Sequence, residues 1–307
     1  MTWRNVKLGL CPIGKFVFSH EDACRQKERL QGYLREWGVT FVDLEGVLAD
    51  GLVRDQKHVD RVVEHFRKEC VDAVFMPHCN FGTEGAVGMI GRKLGKPVLL
   101  WGPRDESPLG DGTRLRDTLC GLFASSKVLH KLKVPFTYLE NSRMADPRFK
   151  QGVIDFLRTA SVVKAFQTLR IAQIGGRIDF FWTTKVNESD LQERFNIEIV
   201  PVDLVRAISR VRDLAAERRK RYEEELELLK KEFVFEGYPT DEPLINQLAL
   251  RDFHLELANV EGVTAVCVET FPSLSDELGG YDGLASALAA DAGVPIVCET
   301  DIHGAIS

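Results

Sequence analysis

Residues 263–301 read VTAVCVETFPSLSDELGGYDGLASALAADAGVPIVCETD, and this stretch decides the fold. It opens on an apolar, β-rich run that ends in Glu269 and closes on a second run, 294–298, that leads into Glu299, Thr300 and Asp301. Between them, residues 283–292 are rich in Ala and Leu, a composition that favours helix. Two short, continuously apolar strands joined by a helix make a βαβ crossover, which places them in a parallel sheet with covered faces.

Working outward, the same alternation fills the chain. Strands at 169–174 and 197–202 are followed by a long charged helix from 204 to about 233 and a further helix at 242–259. Nearer the N-terminus, strand candidates at 6–13, 39–44, 71–77, 97–101 and 135–138 are separated by helical patterns at 21–37, 54–70 and 85–94. Gly38 and Gly95 sit where a helix end takes a left-handed residue. A helical stretch at 148–166 follows Asp146-Pro147. The reading is an α/β protein of two doubly wound, Rossmann-like domains with parallel sheets, 1–166 and 167–307, and 307 residues suffice for two cores. One supersecondary unit recurs without a sequence repeat.

Composition excludes several classes. Forty Lys and Arg stand against 46 Asp and Glu, a net charge of −6, and 44% of residues are hydrophobic, so the chain is neither disordered nor collagen-like. A mild acidic excess gives no field to draw nucleic acid, and the basic run Arg218, Arg219, Lys220 and Arg221 is followed at once by Glu223, Glu224 and Glu225, which reads as a solvated helix face. No apolar run approaches the roughly 20 residues that cross a bilayer, and the N-terminus lacks the shape of a signal peptide. Neither nucleic acid nor membrane is an expected partner. Seven scattered cysteines with no CxxC pair read as reduced thiols, in keeping with an expected cytoplasmic location.

In open parallel sheets, ligands bind beyond the carboxyl ends of the strands, which singles out Glu269, Glu299 and Asp301. Glu299 and Asp301 point to one face, with Thr300 on the other, for as long as the strand persists. Carboxylates gathered in a crevice repel, and a divalent cation or a raised pKa resolves the conflict. Oxygen ligands favour Mg²⁺ or Mn²⁺ over Zn²⁺, and the nearby His303 tilts the choice toward Mn²⁺. The same acids also suit helix capping, Asp301 ahead of His303-Gly304 and Glu269 ahead of the Phe271-Pro272 turn. Spacing alone leaves both roles open. The segment Gly9-Leu10-Cys11-Pro12-Ile13-Gly14 lacks GxGxxG spacing and no GxxxxGK[ST] occurs, so a nicotinamide-dependent oxidoreductase has no fingerprint here. Gly175-Gly176 reads as a strand-to-loop turn, and the loop HCNFGTEG at 78–85 ends the third strand, where loops line sites. His78 and Cys79 are adjacent in extended chain, so they point apart and make a poor nucleophile pair.

With these residues in view, a family resemblance emerges. LRIAQIGG at 169–176, Arg177, the Phe180-Phe181-Trp182 run, the strand ending at Glu269 and CETDIHGA at 298–305 resemble the L-fucose isomerase and L-arabinose isomerase superfamily. The loop FMPHCNFG at 75–82 and LLWG at 99–102 resemble its N-terminal domains, and the most specific pattern is Glu299, Asp301, Gly304 and Ala305. The resemblance implies a metal-dependent aldose–ketose isomerase that acts on a free sugar through an enediol, with Mn²⁺ (or Mg²⁺ or Co²⁺) as cofactor. By that resemblance Glu269 and Asp301 hold the metal and move the proton, while Glu299, His303, Asn80 and Phe81 contact substrate. Asn80 and Phe81 would then serve a neighbouring subunit's site, because the family forms homo-oligomers. A base near neutrality and a cation that polarises the carbonyl suit this chemistry. The family carries a third, C-terminal domain that supplies a His ligand. Here Ser307 falls in the first turn of a helix, so we expect a part of a longer protein whose third ligand is His303 or comes from elsewhere. A sugar-binding or regulatory protein of the same fold, without chemistry, is the competing reading, and a divalent site that depends on Glu269 and Asp301 separates the two.

Overall fold

The computed structural model describes residues 3–237 and 240–307. The chain forms two compact units that meet between Lys164 and Ala165. The first runs β1 (Leu8–Leu10), α1 (His20–Glu36), β2 (Phe41–Val42), α2 (Val59–Lys68), β3 (Ala73–Pro77), α3 (Glu84–Leu94), β4 (Val98–Trp101), α4 (Thr118–Lys131), β5 (Phe136–Tyr138) and α5 (Pro147–Phe166). The second runs β6 (Arg170–Ile174), α6 (Glu188–Phe195), β7 (Glu198–Val202), α7 (Leu204–Glu217), α8 (Arg219–Glu232), α9 (Glu242–Glu261), β8 (Ala265–Val268), α10 (Ser275–Leu278), α11 (Gly283–Asp291), β9 (Ile296–Cys298) and α12 (Ile302–Ile306).

Every strand pairing within the sheets is parallel, in the orders β2-β1-β3-β4-β5 and β7-β6-β8-β9. This is the α/β architecture of parallel, doubly wound sheets. In each unit the first strand lies between the second and the third, so the chain reverses its winding there and leaves a crevice at the carboxyl ends of those strands. Strand alternation divides the apolar residues between two cores. Val74, Met76, Val98 and Leu100 face α2, α3 and α4, whereas Ala73, Phe75, Leu99 and Trp101 face α1 and α5. Trp101 stacks on Phe149 at 4.1 Å and donates Nε1–H to Ser142 Oγ at 3.0 Å, so its polar edge is satisfied. In the second unit Ala172, Ile174, Val266 and Val268 pack under α7, α9 and α11, while Ile171 and Cys267 meet Leu191 and Ile302 on a thinner face.

Local signals set several boundaries. Ser19 Oγ accepts from Asp22 N–H at 3.1 Å and starts α1, and Gly95 closes α3 at φ +62°. The expected single helix from 204 to about 233 is two helices, broken at Arg218, whose φ of −114° and ψ of +21° leave the helical region. The reason is tertiary. Arg218 turns to Asp252 (2.9 Å) and Glu256 (2.5 Å) on α9, and the Asp252 carboxylate also accepts from the buried Tyr222 hydroxyl at 3.0 Å and from Arg251 at 2.7 Å. The basic run is therefore not a simple solvated face: Lys220 and Glu224 stay in water, but Arg218 belongs to an α8–α9 ion-pair network. Among the described residues no helix is long and apolar enough to cross a membrane.

Candidate active site

The register Ile174↔Val268↔Cys298 brings the carboxyl ends of β6, β8 and β9 level, so Gly175, Glu269 and Glu299 are the first residues beyond the sheet. Glu269 stands where the winding reverses between β6 and β8. Its own N–H donates to Ile174 O at 2.9 Å, its Oε2 accepts from Gly176 N–H at 2.7 Å, and its Oε1 accepts from Ser273 Oγ at 3.3 Å. Hydrogen bonds to a carboxylate are the stronger kind, and here one from a backbone N–H and one from a serine hydroxyl fix the side chain across the crevice. Gly175 makes the approach possible. Its φ is +79°, and a Cβ at this position would lie 2.6 Å from Glu269 Oε2. Glu269 caps no turn with its side chain, so the capping role offered by the sequence does not apply to it.

Glu299 and Asp301 do not share a strand face. β9 ends at Cys298, because Glu299 (φ +63°) and Thr300 (φ +50°) both adopt left-handed conformations, and the turn destroys the alternation. The buried Thr300 N–H donates to Val268 O at 3.1 Å and its hydroxyl donates to Glu299 O at 2.7 Å, which holds the turn shut. Glu299 Oε2 is buried with no hydrogen-bond partner among the described residues, and burial, then the Asp282 carboxylate, pushes this carboxyl above its ordinary range. Cys298 Sγ donates to Asp282 Oδ1 at 3.5 Å, and burial followed by the same carboxylate raises the thiol.

Asp301 takes the capping role. Its Oδ1 accepts from Gly304 N–H at 3.0 Å at the start of α12, and its carbonyl accepts from the Cys267 thiol at 3.4 Å. Asp301 Oδ2 forms no hydrogen bond among the described residues, so one oxygen is left for a ligand. His303 is exposed on α12. Among the described residues no three of His, Cys, Asp and Glu gather as a metal-ligand set. The oxygens of Glu269, Glu299 and Asp301 are hard donors of the kind that suit Mg²⁺ or Mn²⁺.

Asn80 and Phe81 lie at the corresponding reversal point of the first sheet, between the ends of β1 and β3. Asn80 is buried and its amide is fully engaged: Oδ1 accepts from Lys15 N–H (2.8 Å) and Phe81 N–H (2.6 Å), and Nδ2 donates to Lys15 O at 3.2 Å. Phe81 stacks on Phe18 at 5.5 Å, with Lys15 Nζ 4.6 Å from its ring centre. His78 points to Ser125 Oγ at 2.8 Å, and burial lowers its pKa to about 4. Cys79 packs instead against Ala23 and Leu52, with its thiol pushed up to about 12 by burial, so the two side chains diverge as adjacent extended residues do. Sequence reasoning treated Gly175-Gly176 as a turn alone and passed over Ser273 and Asp282. The doublet directly after a strand was the available signal for a backbone N–H aimed at the crevice.

A parallel α/β unit with a latched carboxylate at its reversal point has the architecture of the doubly wound class of proteins, in which ligand sites, where present, lie beyond the strand ends. The chain belongs more narrowly to the fucose/sulfoquinovose isomerase family, whose N-terminal domain matches residues 9–167. This bears out the resemblance read from the sequence. A sulfoquinovose isomerase of Alkalicoccus urumqiensis is 24% identical over 216 residues, 69% of this chain and 46% of that protein. Another, from Priestia aryabhattai, is 21% identical over 306 residues, 99% of this chain and 66% of that protein. The chain thus spans about half to two thirds of the length of these curated relatives. A Mycobacterium smegmatis structure in complex with β-D-fucofuranose is 13% identical, covers 95% of this chain and 73% of its own, and superposes with a TM-score of only 0.22.

Proposed function

We infer that the protein is a sugar isomerase that interconverts an aldose and a ketose through an enediol, with a divalent cation, Mn²⁺ or else Mg²⁺ or Co²⁺, as cofactor. The observation that carries this reading is Glu269, a carboxylate at the reversal point of a parallel sheet, held by Gly176 N–H and level in register with Glu299. Family membership and the relatives' names support it. Glu269 and Asp301 would hold the cation, since each keeps lone pairs beyond the hydrogen bonds it accepts. When bound, the cation supplies polarisation of the sugar carbonyl. Glu269, anchored on the rigid end of β8, is placed to take and return the proton, as a positioned general base does. Glu299, with its unpartnered Oε2 and raised pKa, suits a hydrogen bond with a sugar hydroxyl, and His303 supplies a further exposed contact. Asn80 organises the first-unit loop that presents Phe81. Exposed Phe16 and Phe123 on that unit support a homo-oligomer, and seven unpaired cysteines support a cytoplasmic protein.

The test is conversion of a panel of free aldoses by chelator-treated protein, with Mn²⁺, Mg²⁺ or Co²⁺ restored, beside Glu269→Gln. The expected result is metal-restored turnover that falls at least a hundredfold in E269Q, and turnover in E269Q above a tenth of wild type would overturn the assignment. One observation favours a non-catalytic sugar-binding role: among the described residues no three His, Cys, Asp or Glu side chains gather as a metal-ligand set. Chelation-insensitive sugar binding with no turnover would establish that role instead.

A further inference from the structure

We propose that the loop after β6, residues 177–186, presents Phe180 and Trp182 as an aromatic platform that stacks on the C–H face of a sugar ring in the crevice of the second sheet. The inference deepens the isomerase reading by naming side chains that grip the ring, and rests on that reading for the choice of a sugar. The loop leaves the sheet at Gly175-Gly176, the doublet whose N–H holds Glu269, and the Thr300 hydroxyl lies 3.4 Å from Gly176 O. Its base is thus tied to both carboxylate turns, and Phe180 comes only a few residues beyond it. The loop is built, not slack. One terminal nitrogen of Arg177 donates to the carbonyls of Ile178 (2.6 Å), Asp179 (2.7 Å) and Phe181 (3.1 Å), and the Thr184 hydroxyl donates to Phe181 O at 3.2 Å. Ile178 is buried and Val186 packs on the core with Leu191, so both ends of the loop are anchored.

Between those anchors two large aromatic side chains stay out of the core. Phe180 is 62% exposed and Trp182 71%. Their rings are nevertheless held, because Phe180 meets Phe181 edge to face at 4.7 Å and Lys185 Nζ stands 3.7 Å from the centre of the Trp182 ring. Aromatic surface left in water forgoes burial, and a rigid loop that keeps it there, beside a crevice of a few convergent polar groups, has the composition of a ligand site. Charge selects the occupant. The two cations of the loop are engaged, Arg177 by carbonyls and Lys185 by the indole, while Asp179 and the adjoining Glu188 add negative charge, so a nucleic acid strand is disfavoured. A sugar ring presents C–H bonds whose partial positive charge meets the electron-rich face of an aromatic ring. Rigid rings supply that contact at small conformational cost and leave the sugar's hydroxyls to Glu269 and Glu299.

Calorimetric titration with L-fucose, L-arabinose and sulfoquinovose, with and without Mn²⁺, tests this apart from turnover. Trp182 alone among the four tryptophans is exposed, so its emission gives a second readout. We expect at least one of the three sugars to bind and to shift tryptophan emission. Phe180→Leu and Trp182→Leu, both at exposed positions, should each weaken that binding about fivefold or more with the urea midpoint unchanged, the size of one aromatic contact. Trp182→Phe keeps a ring and should hold wild-type affinity while losing the emission shift. Unchanged affinity in both leucine variants, a loss in Trp182→Phe equal to that in Trp182→Leu, or no binding of any of the three sugars would overturn the proposal. A change in oligomer mass by light scattering with affinity unchanged would also overturn it, and would assign the rings to a contact between copies. Turnover that survives both leucine variants with unaltered KM removes the platform and leaves the isomerase reading standing, whereas ring-dependent binding without turnover removes only the isomerase reading.

Discussion

Gly175→Ala probes the contact on which the candidate site is built. At φ +79° an L side chain pays roughly 1 kcal/mol for the left-handed conformation. The added methyl would also stand 2.6 Å from Glu269 Oε2 and 2.8 Å from Glu269 Cβ, closer than real Cβ atoms come, so the carboxylate must move and release Gly176 N–H. A hydrogen bond to a charged group contributes about 1.5–3 kcal/mol, and the exposure of Gly176 puts this one at the low end. Together the variant should lose about 2.5 kcal/mol. Gly176→Ala is the internal control, because its Cβ would meet Glu269 Oε2 at an ordinary 3.7 Å and no positive φ is involved. It should cost less than about 0.5 kcal/mol, the range of surface changes that touch nothing special. Urea unfolding followed by circular dichroism measures both. The argument is refuted if G175A loses no more stability than G176A, or if it loses stability while Gly176 N–H stays as protected from hydrogen exchange as in wild type.

Two further outcomes follow from buried ionisable groups. Asp252→Asn should lower stability by about 3 kcal/mol at pH 7 in thermal or urea unfolding, because the buried Arg251 loses one of its two charged partners in the α8–α9 network; the low end of the range for a broken buried pair applies, since Arg251 keeps Glu225 and Arg218 keeps 32% of its side chain in water. Asp252 is held below the ordinary carboxylate range by Arg251, Tyr222 and Arg218 in spite of its burial, so its contribution is present above the unfolded pKa and disappears as pH falls through the folded one, and D252N should flatten that acid limb. His254 is fully buried, neither ring nitrogen has a partner among the described residues, and burial lowers its pKa to about 3. An unfolded histidine takes up its proton near pH 6.5, so wild-type stability should fall as pH drops from about 6.5 towards 4, with His78 adding to the slope. His254→Leu should remove part of that slope and be neutral or stabilising at pH 7; an unchanged slope would contradict the burial argument.

The fold was legible because its signals are local. Apolar runs bounded by Gly38 and Gly95 mark strand and helix ends in the sequence itself, and acids directly after apolar strands flag the carboxyl edge. What could not be read depends on distant partners. α4 starts without a side-chain cap of its own, because Asp105, from another loop, satisfies Thr118 and Leu119, so nothing adjacent announces it. The break at Arg218 is decided by Asp252 and Glu256 on a helix not yet formed when that stretch is read. α6, at eight residues, is too short for periodicity to stand out. Within the site, Glu269 was placed correctly at a strand end, but the turn at Glu299 and Thr300 was invisible, since neither residue type predicts a positive φ. Arg29, Arg104, Arg116 and Arg143 line one cavity of the first unit, a set that only the folded chain brings together.

That turn has a consequence for how relatives should be read. A β-branched residue in the left-handed region costs on the order of 1–2 kcal/mol, and Gly or Asn at the same place would remove the cost. Glycine at residues 299 and 300 would therefore gain stability and keep the turn, while removing the Glu299 carboxylate whose oxygen the turn withdraws from solvent. A descendant that keeps the sheet but carries glycine at both positions should be counted among the lineages that have given up this buried carboxylate, however well the rest of its sequence aligns.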